Sequence, residues 1–587
     1  MKDVRNTSQF LLPLFKKQEE DNHYDIYPVY PIGEGKIFHS LSALAEMIPG
    51  KGTIIIDGFA GVLFDDIAGE IKKRMQEMGR PLPVFTDINI ALKPPGEIER
   101  QVAAFTGADD PLFGKRSNME MSDFFSSSKI EKLREEGINT YRIIYGTGAS
   151  LVDRHAFLIY IDLPRNEVQF RSRAGLNTHI GTPAVNPGYD YKRNYFVDWP
   201  VQRKHLKDIL PVTDLFIDGQ RPGEISFIRG DDLRHVLKDI SHNVFRVRPW
   251  FEPGPWGGRW IKENIRGLNR DVPNYAWSFE LISPENGLIL ESSNVMLEFS
   301  FDLLMMQESG NVLGECHEVY GDEFPIRFDY LDTFDGGNLS IQCHPRKEYI
   351  KREFGENFTQ EEAYYIMDCS DDAVVYLGFR ESIDPDQFRN ELEISYSDLK
   401  AVDIDHYIQS HPSSKHDLFL IPCGTVHGSG RNNLVLEISS TPYIFTFKMY
   451  DWLRPGMDGK LRPLNISRAM ENLYFDRKGD RVRDELICKP GIIAKGDDWV
   501  LENLETHPTH LYSVHRYRFT RRVLVSTENK CHVLNLVEGE SIIIETARGL
   551  RMRFNYAETF VVPAAAGEYI LINQSKRPVM VIKAFVK

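Results

Sequence analysis

Seven residues, Leu339–Pro345 (LSIQCHP), set Gln342 and His344 two positions apart in a short apolar run. Side chains alternate faces along a strand, so this amide and this imidazole project together while Ile341 and Cys343 project the other way. Glu362 stands at the start of EAYYIMD, and His427 ends IPCGTVH. Two imidazoles, a carboxylate and an amide oxygen form a mixed donor set suited to zinc, with positions left for water. A metal held this way polarises a carbonyl or hydroxyl of a substrate. Taken singly, each piece also has a plain reading. A Gln-X-His pair in a strand is more often a hydrogen-bonded core pair, and a histidine after a glycine turn is often a satisfied loop residue.

The elements that must position these residues fall in the second of three textures along the 587 residues. Residues 1–245 alternate short apolar strands (GTIIIDGFAG, YRIIYGTGASL, AFLIYIDLPR) with helical patterns (DIAGEIKKRMQEMG, DLRHVLKDIS), which predicts a doubly wound α/β layer. From 246 to 475 the chain turns to short strands parted by turn residues, with SFDLLMMQ and DPDQFRNELEI as helical insertions. Residues 476–505 read as a polar connector, and 506–587 as a small all-β module. The passages LIPCGTVH and VVPAAAGEY share a strand, a proline, small residues and a second strand, which suggests two related barrels.

From PGPWGGRW onward, the order of these pieces resembles the class I mannose-6-phosphate isomerases, a family of zinc enzymes with cupin folds. The resemblance runs through FPIRFDYLDTFDGGNLSIQCHP, QEEAYYIMD, IPCGTVHGSGRNNLVLEIS and YDWLRPGMDGKLRPLNISRAME to the closing module, VLNLVEGES to VVPAAAGEY. It implies two cupin-type jelly-roll barrels with helical insertions. It also implies that Gln342, His344, Glu362 and His427 hold one Zn2+ per chain, and that Arg454 reaches the substrate near its reacting carbons. Glu280 (in SFELIS) and Glu361 are carboxylates that could supply a base, and Arg380 (in YLGFRE) could meet an anionic group. A structural or surface charge is the alternative for each. Two lysines of the family are replaced: Gln360 stands two residues before Glu362, and Asp329 stands beside Arg327 in the strand before LSIQCHP. The function implied is zinc-dependent interconversion of mannose 6-phosphate and fructose 6-phosphate, or of a related sugar or sugar phosphate, through an enediol. The missing lysines keep open a non-catalytic carbohydrate-binding or sensing protein.

In the front domain, IIIDGFAGVLFDDIAGEI runs from strand through glycine and loop into helix, and resembles a uridine-kinase-like P-loop layer. The motif needs G-x-x-x-x-G-K-[ST], because amides cradle phosphate while the lysine and hydroxyl serve phosphate and magnesium. Counted from Gly58, its last three positions hold Leu63, Phe64 and Asp65. The expected layer is therefore a pseudo-kinase without its phosphate grip. Gln169, Arg171 and Arg173 alternate as a basic stripe, read as a solvated face.

Bulk composition narrows the rest. A net charge of −15 argues against a nucleic-acid surface. No apolar run is long enough for a bilayer span, no signal-like h-region is present, and a cytoplasmic location is expected. The six cysteines show no paired spacing and read as reduced thiols.

Overall fold

The structure, a computed structural model, describes residues 4–587 apart from 18–22, 108–109, 111, 138–139, 177–178, 183–190, 222 and 443. Its first sheet has seven strands. Thr53–Gly58, Val84–Asp87, Arg142–Tyr145, Phe157–Asp162 and Leu215–Asp218 run parallel, and Ser226–Arg229 and Ile37–His39 add antiparallel at one edge. Numbered in chain order, the parallel strands lie 2-3-1-4-5. Ile54–Ile56 and Leu158–Ile161 are wholly buried, as unbroken apolar runs in a covered parallel sheet should be. Helix Phe64–Glu77 buries Ala68, Ile71 and Met75 on one stripe and carries Asp65 and Asp66 in its first turn, where carboxylates suit the helix dipole.

The basic stripe belongs to helix Arg165–Arg173, and two of its members are not solvated. Arg171 is 1% exposed and donates to the carbonyls of Gly61, Gly219 and Gln220 at 2.8, 2.7 and 3.1 Å. Gln169 is buried on Glu285 at 2.6 Å. A guanidinium enters a core when converging loop carbonyls satisfy its fork, which residue spacing alone does not reveal. One of those carbonyls lies in the loop that resembles a P-loop. The 550 Å3 cavity over that loop is bordered by Asp65, Asp66 and Asp87, with no lysine or arginine among its lining residues. An arrangement of this kind repels phosphate.

Apart from Gly287–Ser292 and Val295–Ser300, the strands beyond 246 form two double-sheet units with antiparallel pairing. In the first, Leu418–Ile421, Glu362–Cys369, Asn433–Ser440, Ile326–Asp332, Trp277–Leu281 and Trp250–Glu252 make one sheet. Ile408–Pro412, Val374–Phe379, His427–Ser429, Ile341–Cys343 and Phe447–Tyr450 make the other. The expected insertions are helices Phe301–Leu313 and Pro385–Asp398. The second unit pairs a six-stranded with a four-stranded sheet.

Two boundaries differ from the sequence reading. The expected connector contains helix Asp480–Leu486 and strands Gly491–Lys495 and Trp499–Leu504, which extend the six-stranded sheet of the last unit. The edge strand of this hairpin, GIIAK, leaves Ile492 and Ile493 exposed and ends on an exposed Lys495. GLILESS, placed among the barrel strands, forms the hairpin Gly287–Ser292/Val295–Ser300 and pairs in parallel with Val29–Pro31 in a separate three-stranded sheet. The Glu298 amide donates to Asp218 at 3.1 Å and the Ser300 amide to Asp162 at 2.5 Å, seating this hairpin on the α/β layer. All six cysteines are free thiols. Among the described residues no helix is long and apolar enough to cross a membrane.

Candidate metal centre

The interior of the first barrel grades from apolar to charged along its strands. Cross-strand rows across Ile326–Asp332, Asn433–Ser440 and Glu362–Cys369 read Leu331–Val435–Ile366, then Asp329–Glu437–Tyr364, then Arg327–Ser439–Glu362. The facing sheet contributes the row Leu377–His427–Gln342–Lys448. The period-two spacing of Gln342 and His344 thus aims both at Glu362 from the opposite sheet. Pro345 has no N–H and ends the ladder, and helix Lys347–Phe354 follows at once.

Backbone contacts fix the loop that delivers His427. The Gly424 amide donates to the His344 carbonyl at 2.8 Å, and Arg477 donates to the carbonyls of Pro422 and Cys423 at 3.1 and 2.6 Å. Gly424 has φ +74°, and a Cβ there would stand 2.6 Å from the Tyr474 ring, so only glycine fits this turn.

His344 Nε2 lies 2.7 Å and His427 Nε2 3.1 Å from the same Glu362 oxygen, with all three residues buried. Among the described residues they form the one cluster of three His, Cys, Asp or Glu groups able to share an ion. Each imidazole's other nitrogen faces a backbone carbonyl: His344 Nδ1 that of Phe445 at 3.3 Å, His427 Nδ1 that of Thr425 at 3.0 Å. Donation from Nδ1–H leaves Nε2 as a bare acceptor on a neutral ring. Burial pushes the His344 pKa down despite Glu362, which favours that neutral form. Burial works to raise the Glu362 pKa, yet His427 and His344, when either carries positive charge, hold it well below the carboxylate range. Three lone-pair donors converging on one point, two imidazole nitrogens and a carboxylate oxygen, are a set that a divalent metal fits. Gln342 Nε2 stands 3.3 Å from His427 Nε2 while Oε1 accepts from the Ser340 hydroxyl at 2.9 Å. A hydroxyl serves either amide atom, so rotation of the amide presents its oxygen to the cluster and keeps the Ser340 bond.

The other sequence-derived candidates stand elsewhere. The Glu280 carboxylate is taken up by Tyr24, by Ser278 at 2.5 Å and by the Thr559 amide at 3.4 Å, with Arg246 at 3.7 Å. Glu361 accepts from the Cys423 amide at 2.8 Å, and burial pushes its pKa up to about 7. It braces the His427 loop. Arg380 is exposed and donates to the Asp405 carbonyl. Arg454 donates to Asp451 at 2.9 Å, and Arg462 grips the other oxygen of Asp451 at 2.5 Å.

A cation on the strand beside the donor strand is Lys448, which spacing had not singled out. It is the register partner of Gln342, and burial with the Arg462 charge pushes its pKa down to about 8 against the pull of Asp451. A signal existed: a lysine between Phe447 and Met449 in an apolar strand. Exposure rises along its row from His427 at 0% to Gln342 at 8% and the half-buried Lys448, so approach to the cluster is from that end. The two positions that depart from lysine meet one buried network. Gln360 donates to Glu437 at 3.2 Å, and Arg327 pairs with Glu437, donates to Ser439 at 2.9 Å and stands 3.5 Å from Asp329. Arg327 thus brings a cation back to the row that holds Glu362. Burial pushes the Asp329 pKa up to about 6 despite Arg327.

Comparison with known proteins adds five findings. Residues 40–242 match the model of a domain of unknown function, DUF8485. The chain is 26% identical over 251 residues to a probable mannose-6-phosphate isomerase, GmuF, of Bacillus subtilis strain 168, covering 43% of this chain and 73% of that protein. It is 25% identical over 224 residues to mannose-6-phosphate isomerase ManA of the same organism, covering 38% of this chain and 66% of the relative, about two thirds of its length. The structure also overlays 58% of its residues on 99% of mannose 6-phosphate isomerase from Bacillus subtilis, at TM-score 0.47 and 17% identity. For a mutant of phosphomannose isomerase from Salmonella typhimurium the overlay takes 59% of this chain and 99% of that one, at TM-score 0.46 and 11% identity.

Proposed function

We propose that the chain is a metal-dependent aldose–ketose isomerase acting on a sugar phosphate of the mannose 6-phosphate and fructose 6-phosphate kind. The observation that carries this reading is the convergence of His344 Nε2, His427 Nε2 and Glu362 on one buried point, beside Gln342, in a chain similar over 251 residues to a probable mannose-6-phosphate isomerase. His344, Glu362, His427 and Gln342 would hold a zinc ion, which when bound supplies a Lewis acid for the sugar's carbonyl and hydroxyl oxygens.

The chain's own residues account for the rest. Aldose–ketose exchange moves a proton between adjacent carbons through an enediol, and negative charge gathers on oxygen. Lys448, at the open end of the donor row, is placed to meet that charge, and Arg327 adds a second cation from the facing sheet. Asp329, with its pKa near 6, and Lys448, near 8, are the two groups suited to hold and return a proton close to neutral pH. Arg454, bound to Asp451 together with Arg462, steadies the carboxylate that balances Lys448. The α/β layer serves binding or structure in this reading, since the cavity over its first loop is lined by acids alone among charged residues other than His179.

The test is exchange in deuterated water. Zinc-loaded protein is incubated with mannose 6-phosphate, and separately with fructose 6-phosphate, and the aldose C2 is examined by NMR. Deuterium at C2, lost after chelation and regained with zinc, is the expected result. No exchange from protein carrying one zinc per chain would overturn the isomerase reading in favour of a carbohydrate-binding role.

A further inference from the structure

A cavity of about 180 Å3 lies on the seam between the α/β layer and the first barrel, well apart in sequence from the donor cluster. Arg165, the first residue of helix Arg165–Arg173, borders it and is 0% exposed. Its guanidinium stands 4.4 Å over the Phe59 ring, and its Nη2 donates to Asp302. Its Nε and Nη1 have no partner among the described residues. Buried guanidinium N–H groups rarely go without acceptors, because desolvation is then uncompensated. The other oxygen of Asp302 is turned to Arg203, from which it accepts at 3.3 Å.

Charge around the cavity points the same way. Arg116, Arg165, Arg203 and Lys204 line it against two carboxylates, Asp302 and Glu323. The cations are partly engaged: Arg116 with Glu323 and Glu356, Arg203 with Asp302 and Asp322, Lys204 with Glu120. Even so, the lining carries an excess of donors, and Trp199, Tyr195 and Phe324 give it apolar walls. Apolar walls with a few convergent charged donors are the make-up of a small-ligand site. The volume admits an oxyanion with a short carbon chain, and is too small for the base, sugar and phosphates of a nucleotide together.

We propose that this seam cavity binds a small oxyanion, the phosphate or carboxylate head of a compact metabolite, with Arg165 as the buried anchor and Arg116 and Lys204 at the mouth. The site stands on residues separate from the donor cluster and does not rest on the isomerase reading. Bound there, the anion would sit beside the Arg203–Asp302 pair that joins helix Trp199–Ile209 of the α/β layer to helix Phe301–Leu313 of the barrel region.

The test is calorimetric titration of the full chain with glycerol 3-phosphate, inorganic phosphate and acetate at constant ionic strength. Saturable one-to-one binding is expected. The tighter of the phosphate and acetate probes assigns the head group, and either supports the site. Arg116→Gln with Lys204→Gln, both partly exposed, should weaken binding by about tenfold, the loss of one charge-assisted hydrogen bond. Arg165→Met should abolish it. His344→Ala, which removes a donor of the barrel cluster, should leave it unchanged, so sugar-phosphate capture at that cluster is told apart from binding at the seam. No saturable heat with any probe, or equal affinity in wild type and the double variant, would overturn the proposal.

Discussion

The two barrels share a scaffold and fill it in opposite ways. The first turns Arg327, Asp329, Glu437, Glu362, His344 and His427 toward one end of its interior. The last packs Leu534, Leu536, Ile542, Ile544, Phe554, Phe560, Leu571 and Val581 into a continuous apolar cluster. Their matching passages show the switch at single positions. After Pro422 the first barrel delivers the buried His427, whereas after Pro563 the last delivers an exposed Glu568 and a buried Tyr569. Interior charge in the last barrel is confined to Lys583, opposite Leu534 and beside His515 and His532, and burial pushes its pKa down to about 8. Burying charge costs several kcal/mol per ion unless partners repay it, so the polar end of the first barrel reflects chemistry rather than folding need.

Removing the donors should separate the barrels most sharply. His344→Ala with His427→Ala is expected to lose zinc and to cut turnover by at least about a thousandfold, more than 4 kcal/mol, while the last barrel stays folded. Metal analysis beside the exchange assay checks both halves, and full zinc occupancy in the double variant would sink the donor assignment. The converse break is Phe560→Ala. This ring is fully buried and stacks on Phe554 at 4.1 Å, so its loss should cost about 3–5 kcal/mol in denaturant unfolding and leave zinc stoichiometry at one. Lys448→Met tests the missed cation: kcat/KM should fall by about a hundredfold with zinc retained, and an unchanged value would return that role to Arg454.

Asp329 sharpens the comparison through pH. Its folded pKa near 6 lies above the ordinary carboxylate value, so the folded protein keeps a proton that the unfolded chain releases. Stability then falls as pH rises from about 4 through 6, and the cost is in full force above it. Asp329→Asn should flatten that slope and raise stability at pH 8 by about 1–3 kcal/mol, read from urea midpoints of metal-free protein at pH 4.5 and 8. The smallest effect belongs to Arg380→Ala. An exposed side chain holding one loop carbonyl should move stability by less than about 0.5 kcal/mol and leave exchange untouched.

What was legible in the sequence followed from short-range geometry. Alternation put Gln342 and His344 on one face, and register sets Gln342 opposite His427 while His344 meets Glu362. The order of strands and helices in residues 1–245 likewise announced a parallel sheet. Long-range partners were not legible. Arg171 reads as a surface charge until carbonyls from three loop positions meet its fork, and Glu280 reads as a free carboxylate until Tyr24 arrives from the far N-terminus. Lys448 stood in plain view, but only its pairing with Gln342 gives it a role. Arg454 sat near the right chemistry and turned to Asp451 instead.

The parallel pairing of Val29–Pro31 with Ile289–Glu291 has a consequence for synthesis. As the chain leaves the ribosome, its earliest strand must wait for about 260 further residues before its partner exists. Asp162 waits 138 residues for the amide of Ser300, and Asp218 waits 80 for that of Glu298. A fragment ending at residue 245, the boundary that composition suggests, would carry an unpaired strand and two buried carboxylates short of donors. The α/β layer is thus completed from within the barrel region, and the earliest point at which it can be finished is near residue 300.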